Sequence, residues 1–219
     1  DGAEAGGAAS KRGGADVTAP AAGVPQSVRP SDRIRTDREI VGMSAVLLPF
    51  TADGAIDWDG FASLLGRTLD AGLVPAVNMG TGFGPFLSPD ERRQVLAITR
   101  DRCTAARHGD RFLAGAHVDD RPGDPFAPDA YAAALAEIAD HGGTPIVFPS
   151  FGLAALAEGA LAPAHAGFAS VVDRLYGFEL GAMFHPAGRI WSTATFTEIL
   201  GIDAVAGAKH SSLERGPEL

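Results

Sequence analysis

From residue 41 onward the chain alternates between short apolar runs of strand length and longer segments with helical periodicity. That alternation restricts the fold more than any other feature. The runs fall at 41–48 (stopped by Pro49), 73–78, 112–117, 144–149, 178–184 and 204–209. Between the first two, Phe61, Leu64, Leu65, Thr68 and Leu69 share one helical face, and Gly72 ends the pattern. Ser88-Pro89-Asp90-Glu91 predicts a helix start three times over: a capping serine, a proline at the first helical position and the glutamate of a capping box. The segment 128–141 is an alanine-rich helix with Tyr131, Leu135 and Ile138 inward, closed by Gly142-Gly143. The segment 163–176 is predicted as a helix burying Phe168, Val171, Val172 and Leu175, and Ser192 caps a last helix to Leu200. Strands alternating with helices in this way indicate right-handed βαβ units around a parallel sheet.

Two architectures satisfy that pattern, a closed (β/α)8 barrel and an open doubly wound sheet. The first strand runs into Pro49-Phe50-Thr51, without the glycine fingerprint of a dinucleotide site, and no Walker A pattern occurs. Polar and glycine-rich residues gather instead after many strands: 78–84, 117–120, 149–152, 185–189 and 209–212. Chemistry at the C-terminal ends of several strands is the habit of a barrel. The predicted fold class is therefore α/β, a (β/α)8 TIM barrel of which about six βα units are present, where a whole barrel takes ~250 residues. Residues 1–35, rich in Ala, Gly and Pro, are predicted as a disordered tail, and 36–219 as a partial barrel truncated at its C-terminus.

Composition narrows the partners. A formal net charge of −9 leaves no basic stripe for nucleic acid or an anionic membrane surface. No apolar run approaches the ~20 residues that span a bilayer. Cys103 is the only cysteine, so no intrachain disulfide forms. Residues 1–30 carry no apolar core of a signal peptide, and the expected setting is the cytoplasm.

The most informative single residue is Lys209. The chain has sixteen arginines and two lysines, Lys11 in the tail and Lys209 at the end of an apolar run. Arginine stays protonated, whereas a desolvated lysine sheds its proton and becomes a nucleophile. A lone lysine at the mouth of a buried strand therefore points to Schiff-base chemistry.

Three motifs, in order, carry a resemblance. Gly42-Met43-Ser44-Ala45-Val46-Leu47-Leu48-Pro49-Phe50 with Asp53 to Asp57 is similar to the first strand and loop of the dihydrodipicolinate synthase / N-acetylneuraminate lyase family. Asn78-Met79-Gly80-Thr81-Gly82, with Leu87 to Arg92, resembles that family's Gly-Thr-Thr-Gly-Glu loop. Val205 to Ser212 resembles its Schiff-base strand. The resemblance covers roughly 40–219. It implies a TIM barrel in a homo-oligomer, dimer or tetramer. It also implies a lyase or synthase of the class I aldolase type, needing no cofactor and acting on a 2-oxo acid such as pyruvate with an aldehyde as second partner. Lys209 takes the nucleophile's place, and Thr81 with Gly80 and Gly82 holds the substrate carboxylate. Where the family has a proton-shuttling tyrosine at the end of strand five, this chain reads Met183-Phe184-His185-Pro186. Phe184 walls the pocket in this reading, His185 is the acid/base candidate, and Ser211 lies beside the substrate.

Two other readings compete. His117, Asp119, Asp120, His185 and His210 at the barrel mouth are a candidate metal set for a class II aldolase or isomerase, although no two histidines stand at tight ligand spacing. A non-catalytic, sugar-acid-binding paralogue is the third. The run 119–124 reads as a solvated turn, and Arg189 either grips a second substrate carboxylate or makes a surface salt bridge. His141 and His165 are expected at helix ends or in loops, and Trp58 and Trp191 as packing residues.

Overall fold

The structure, a computed structural model, describes residues 36–37, 39–106 and 112–213. The predicted tail 1–35 lies outside them. The described residues from Val41 onward belong to one compact unit.

Six strands alternate with helices: β1 Met43–Ala45, α1 Trp58–Asp70, β2 Val74–Val77, α2 Pro89–Ala105, β3 Leu113–Ala116, α3 Pro128–Asp140, β4 Thr144–Val147, α4 Phe151–Ala154, α5 Glu158–Ala169, β5 Leu175–Leu180, α6 Thr193–Leu200 and β6 Val205–Ser211. The sheet order is β1-β2-β3-β4-β5-β6 and every pair is parallel. Sequential order in one parallel sheet, with a helical crossover at each step, is the wall of a (β/α)8 barrel, here six units of it.

The sheet separates two apolar layers. On its helix-facing side, Phe61, Leu65, Leu96, Tyr131, Leu135 and Leu175 belong to one cluster with the inward stripes of the helices. On the other side Ala76, Met79, Leu113, Ile146, Phe148 and Phe178 form the lumen of the wall. Strand side chains alternate between these layers. Helix starts follow local chemistry. Asp57 accepts from the Gly60 N–H ahead of α1, Ser88 and Glu91 make a reciprocal capping box on α2, and Ser192 caps α6.

Four expectations need correction. The run 41–48 is strand only over Met43–Ala45, and Leu47 is exposed, because β1 is an edge of the sheet with one neighbour. Pro163 does not start a helix. It lies within α5, which begins at Glu158; the carbonyl four residues earlier, whose donor proline lacks, belongs to exposed Gly159 and is open to water. The buried face of α5 is accordingly Leu161, His165 and Phe168, so His165 is a mid-helix core residue, while Val171 is exposed. Leu175 and Tyr176 open β5 rather than end a helix, and β5 stops at Leu180, so Phe184 stands in the turn beyond the strand. Ser170 caps α5, and the Leu175 N–H donates to the Ala204 carbonyl as the new ladder begins. His141, by contrast, caps α3 as expected, and Trp58 and Trp191 pack against the outer core.

Candidate active site

One irregularity decides where the lysine points. Leu175 pairs with Val205, but Tyr176 pairs with Gly207, so Ala206 is an extra residue on β6. Val205 packs in the outer core. With strict alternation Gly207 and Lys209 would follow it outward. The bulge at Ala206 reverses the phase, so that Lys209 stands opposite Phe178 and joins the lumen. The expected burial of Lys209 among Val205, Ala206 and Ala208 is therefore not found: Val205 faces the opposite side and Ala206 is exposed.

The Lys209 Nζ lies 4.2 Å from the centre of the Phe178 ring and donates to the Ser211 Oγ at 2.7 Å. Among the described residues no carboxylate pairs with it. Lys209 is exposed at the cavity mouth, and the partial burial of its amine lowers it below its ordinary 10.5, the direction a nucleophilic lysine requires.

Lys209 opens into a cavity of about 640 Å³ at the C-terminal ends of the strands. Gly80 and Thr81 line it on the β2 side, Phe184 and His185 on the β5 side, and Ser211 on the β6 side. Gly80–Gly82 is a single 3-10 turn. Gly82 is absent from the cavity wall: its N–H donates to the Met79 carbonyl, and it packs under the Val46 carbonyl. Among the described residues the N–H groups of Gly80 and Thr81 have no protein acceptor, and both residues line the cavity.

The loop after β5 folds back on the strand end. Arg189 bridges Leu180, and Gly188 sits so close that a Cβ would lie 2.5 Å from the Leu180 and Gly181 carbonyls. The fold-back carries Phe184 and His185 over the cavity. As turn and loop residues they escape the strand rule that would have sent them to opposite faces. The His185 Nδ1 accepts from the Ala187 N–H at 3.0 Å, which leaves the proton of a neutral imidazole on Nε2. Neither tyrosine reaches this wall. The Tyr131 hydroxyl donates to the Phe148 carbonyl at 2.7 Å under α3, and the Tyr176 hydroxyl meets Arg174.

His117 is the residue whose role in this wall sequence reasoning missed. Its Nε2–H donates to the Asn78 carbonyl at 2.7 Å, and its ring lies 4.2 Å from that of Phe148. Burial pushes the imidazole down to about 4, so it is neutral at physiological pH. Gly84 and Gly115 make the space, since a Cβ on either would come within 3 Å of the Asn78 carbonyl oxygen and the imidazole. The glycine within the apolar run 112–117 was the available signal.

The candidate metal set does not converge. His210 faces the outer side, its Nδ1 2.7 Å from Glu179 Oε2 and its Nε2 3.0 Å from Ser212 Oγ. Asp119 pairs with Arg92 at 2.7 Å. Asp120 accepts from the Phe151 and Gly152 N–H groups, tying down the start of α4. Among the described residues no three His, Cys, Asp or Glu side chains gather as a metal site. The run 119–124 is an exposed turn as expected, anchored at its start where Asp119 pairs with Arg92 and Asp120 holds α4. Arg189 donates to the Ala154 and Leu156 carbonyls and pairs with Glu158, away from the cavity.

The architecture matches solved structures. A dihydrodipicolinate synthase from Aquifex aeolicus superposes with a TM-score of 0.63 at 18% identity, over 81% of this chain and 57% of that one. The fold is that of the dihydrodipicolinate synthases and N-acetylneuraminate lyases. A chloride-inhibited dihydrodipicolinate synthase from Acinetobacter baumannii, complexed with pyruvate, gives 0.63 at 17% identity, over 78% and 55%. A catalytic lysine mutant of a Ruminococcus gnavus sialic acid aldolase gives 0.61 at 16%, over 80% and 53%. The chain thus spans somewhat over half the length of each of these structures. No protein-family model and no curated protein matches its sequence. Among the described residues no helix is long and apolar enough to cross a membrane.

Proposed function

We propose that the chain is a divergent member of the dihydrodipicolinate synthase / N-acetylneuraminate lyase family, a lyase or synthase that forms a Schiff base between Lys209 and a 2-oxo acid. The observation that carries this reading is the placement of Lys209: a lone amine in the lumen, without a carboxylate, lowered by burial, opening into the same cavity as the free donors of Gly80 and Thr81.

In this reading the Gly80 and Thr81 N–H groups and the Thr81 hydroxyl receive the substrate carboxylate. Backbone donors at the start of a helical turn suit an anion. The neutral amine attacks the keto carbon, and water leaves to give an iminium. The iminium withdraws electrons from the adjacent carbon, which loses a proton and becomes an enamine. That carbon forms a bond to an aldehyde, or in reverse is released from one, and hydrolysis of the iminium frees the lysine. The electron sink is the iminium itself. The His185 imidazole, its Nδ1 held by the Ala187 N–H, presents Nε2–H to the cavity as a donor; to take the proton that a strand-five tyrosine would move, it must first release Nδ1 from that bond. Phe184 walls the cavity.

The test is borohydride reduction in the presence of pyruvate, followed by peptide mass spectrometry. The expected result is an increment on Lys209 equal to one pyruvate less one oxygen atom, absent from Lys209→Ala. An unmodified Lys209, with pyruvate binding retained, would replace this reading with that of a sugar-acid-binding protein.

A further inference from the structure

Much of the cavity lining around Lys209 is apolar. Phe86, Phe148, Phe151 and Phe184 contribute rings, with Pro85 and Leu180 between them. The rings are ordered by mutual contact: Phe148 packs edge-on to Phe178 at 4.9 Å, and Phe151 lies 5.5 Å from the His185 imidazole. Phe86 is 84% exposed and Phe184 50%, so both stand free to meet a ligand at the mouth. The carboxylates of the wall, Asp119 and Asp120, are of the wrong sign to hold an anion. Among the described residues Lys209 is the only cation in the lining, and it is the group that condenses with the first substrate. Arg189, the cation nearest in sequence to the β5 loop, is committed to Glu158 and two carbonyls outside the cavity. A cavity of about 640 Å³ exceeds what a three-carbon 2-oxo acid fills.

Resting on the Schiff-base reading above, we propose that the second substrate is an uncharged aldehyde with an aryl or branched apolar substituent, seated against Phe148, Phe151 and Phe184. Aldehydes that carry a carboxylate or phosphate are disfavoured. Such an anion would lose its hydration against phenyl rings without gaining a cation. In the bond-forming step the enamine carbon attacks the aldehyde carbon, and the carbonyl electron pair moves to oxygen and takes a proton. Water then releases a 4-hydroxy-2-oxo acid bearing the aryl group.

The full chain is first reduced with borohydride and pyruvate, which reads the Schiff base alone. Pyruvate is then held saturating, and kcat/KM is compared for benzaldehyde and succinic semialdehyde by mass detection of the aldol product. Benzaldehyde is expected to lead by about tenfold or more. Phe184→Arg, which gives the wall a cation, should narrow or reverse that ratio. An adduct with succinic semialdehyde the faster partner overturns this proposal and spares the Schiff-base reading. Absence of the adduct sinks that reading, and saturation-transfer NMR then judges the wall by itself. Transfer to benzyl alcohol but not to succinate, weakened in Phe184→Arg, supports the apolar seat. Equal transfer to both, or none to benzyl alcohol, overturns it.

Discussion

The two faces of the β5–β6 pair treat their ionisable groups in opposite ways. Outward, Glu179 is 2% exposed yet fully engaged: one carboxylate oxygen accepts from the Trp191 N–H at 2.9 Å, the other meets His210 Nδ1 at 2.7 Å, and His210 passes on to Ser212. Inward, one residue before His210 in sequence, Lys209 has a neutral hydroxyl and a phenyl ring for company. A buried charge with partners locks two strands together. An amine left short of partners is available for chemistry. The difference teaches that neighbouring residues of one strand meet opposite polar environments according to the face they occupy.

The sharpest way to break the contrast is to exchange the roles. Lys209→Met should abolish borohydride trapping of pyruvate outright and leave the urea midpoint of unfolding unchanged or raised. A large loss of stability would mean that the inward lysine is structural after all. Glu179→Ala should do the reverse. It strands His210 and the Trp191 N–H and is expected to cost about 3 kcal/mol in chemical denaturation, with slower trapping as Lys209 loses its aim; a cost below about 1 kcal/mol would deny the outward pair its role.

Next in size is the response to acid. The His117 imidazole sits at about 4 in the folded chain and near 6.5 when free, so the unfolded chain binds the extra proton first. Stability should therefore fall as pH drops from about 6.5 towards 4, by about 3 kcal/mol in all, and His117→Gln should flatten that fall. Gly115→Ala, which drives a methyl into the Asn78 carbonyl and the Phe148 ring, should cost about 2 kcal/mol. The smallest effect is alkaline. Because burial lowers Lys209 below 10.5, trapping with pyruvate should rise with pH through an inflection under that value. The same shift makes stability climb slightly, as pH passes from the folded-state value up to 10.5.

These experiments probe features that were unequally legible. The capping box at Ser88–Glu91, the glycine stop after α3 and the periodic stripe of α1 are local, each written in adjacent side chains, and they appear where the pattern put them. The boundary between α5 and β5 was not legible, because Pro163 imitates a helix start and the mixed segment from Phe168 to Leu180 suits either state until Val205 and its neighbours pair with it. In the candidate site Lys209 announced itself by rarity, and Thr81 by its loop. His117 did not, because its meaning depends on two glycines and a carbonyl brought together from two separate segments, the loop after β2 and β3.

By itself the amino-acid order determined an alternating α/β chain, the capped starts of α2 and α6, and one lysine set apart from sixteen arginines. Only the tertiary structure decided which way that lysine faces. Strand alternation carries Val205 and Lys209 to the same side, and one extra residue at Ala206, defined only by pairing with β5, turns the amine from the helix layer into the lumen.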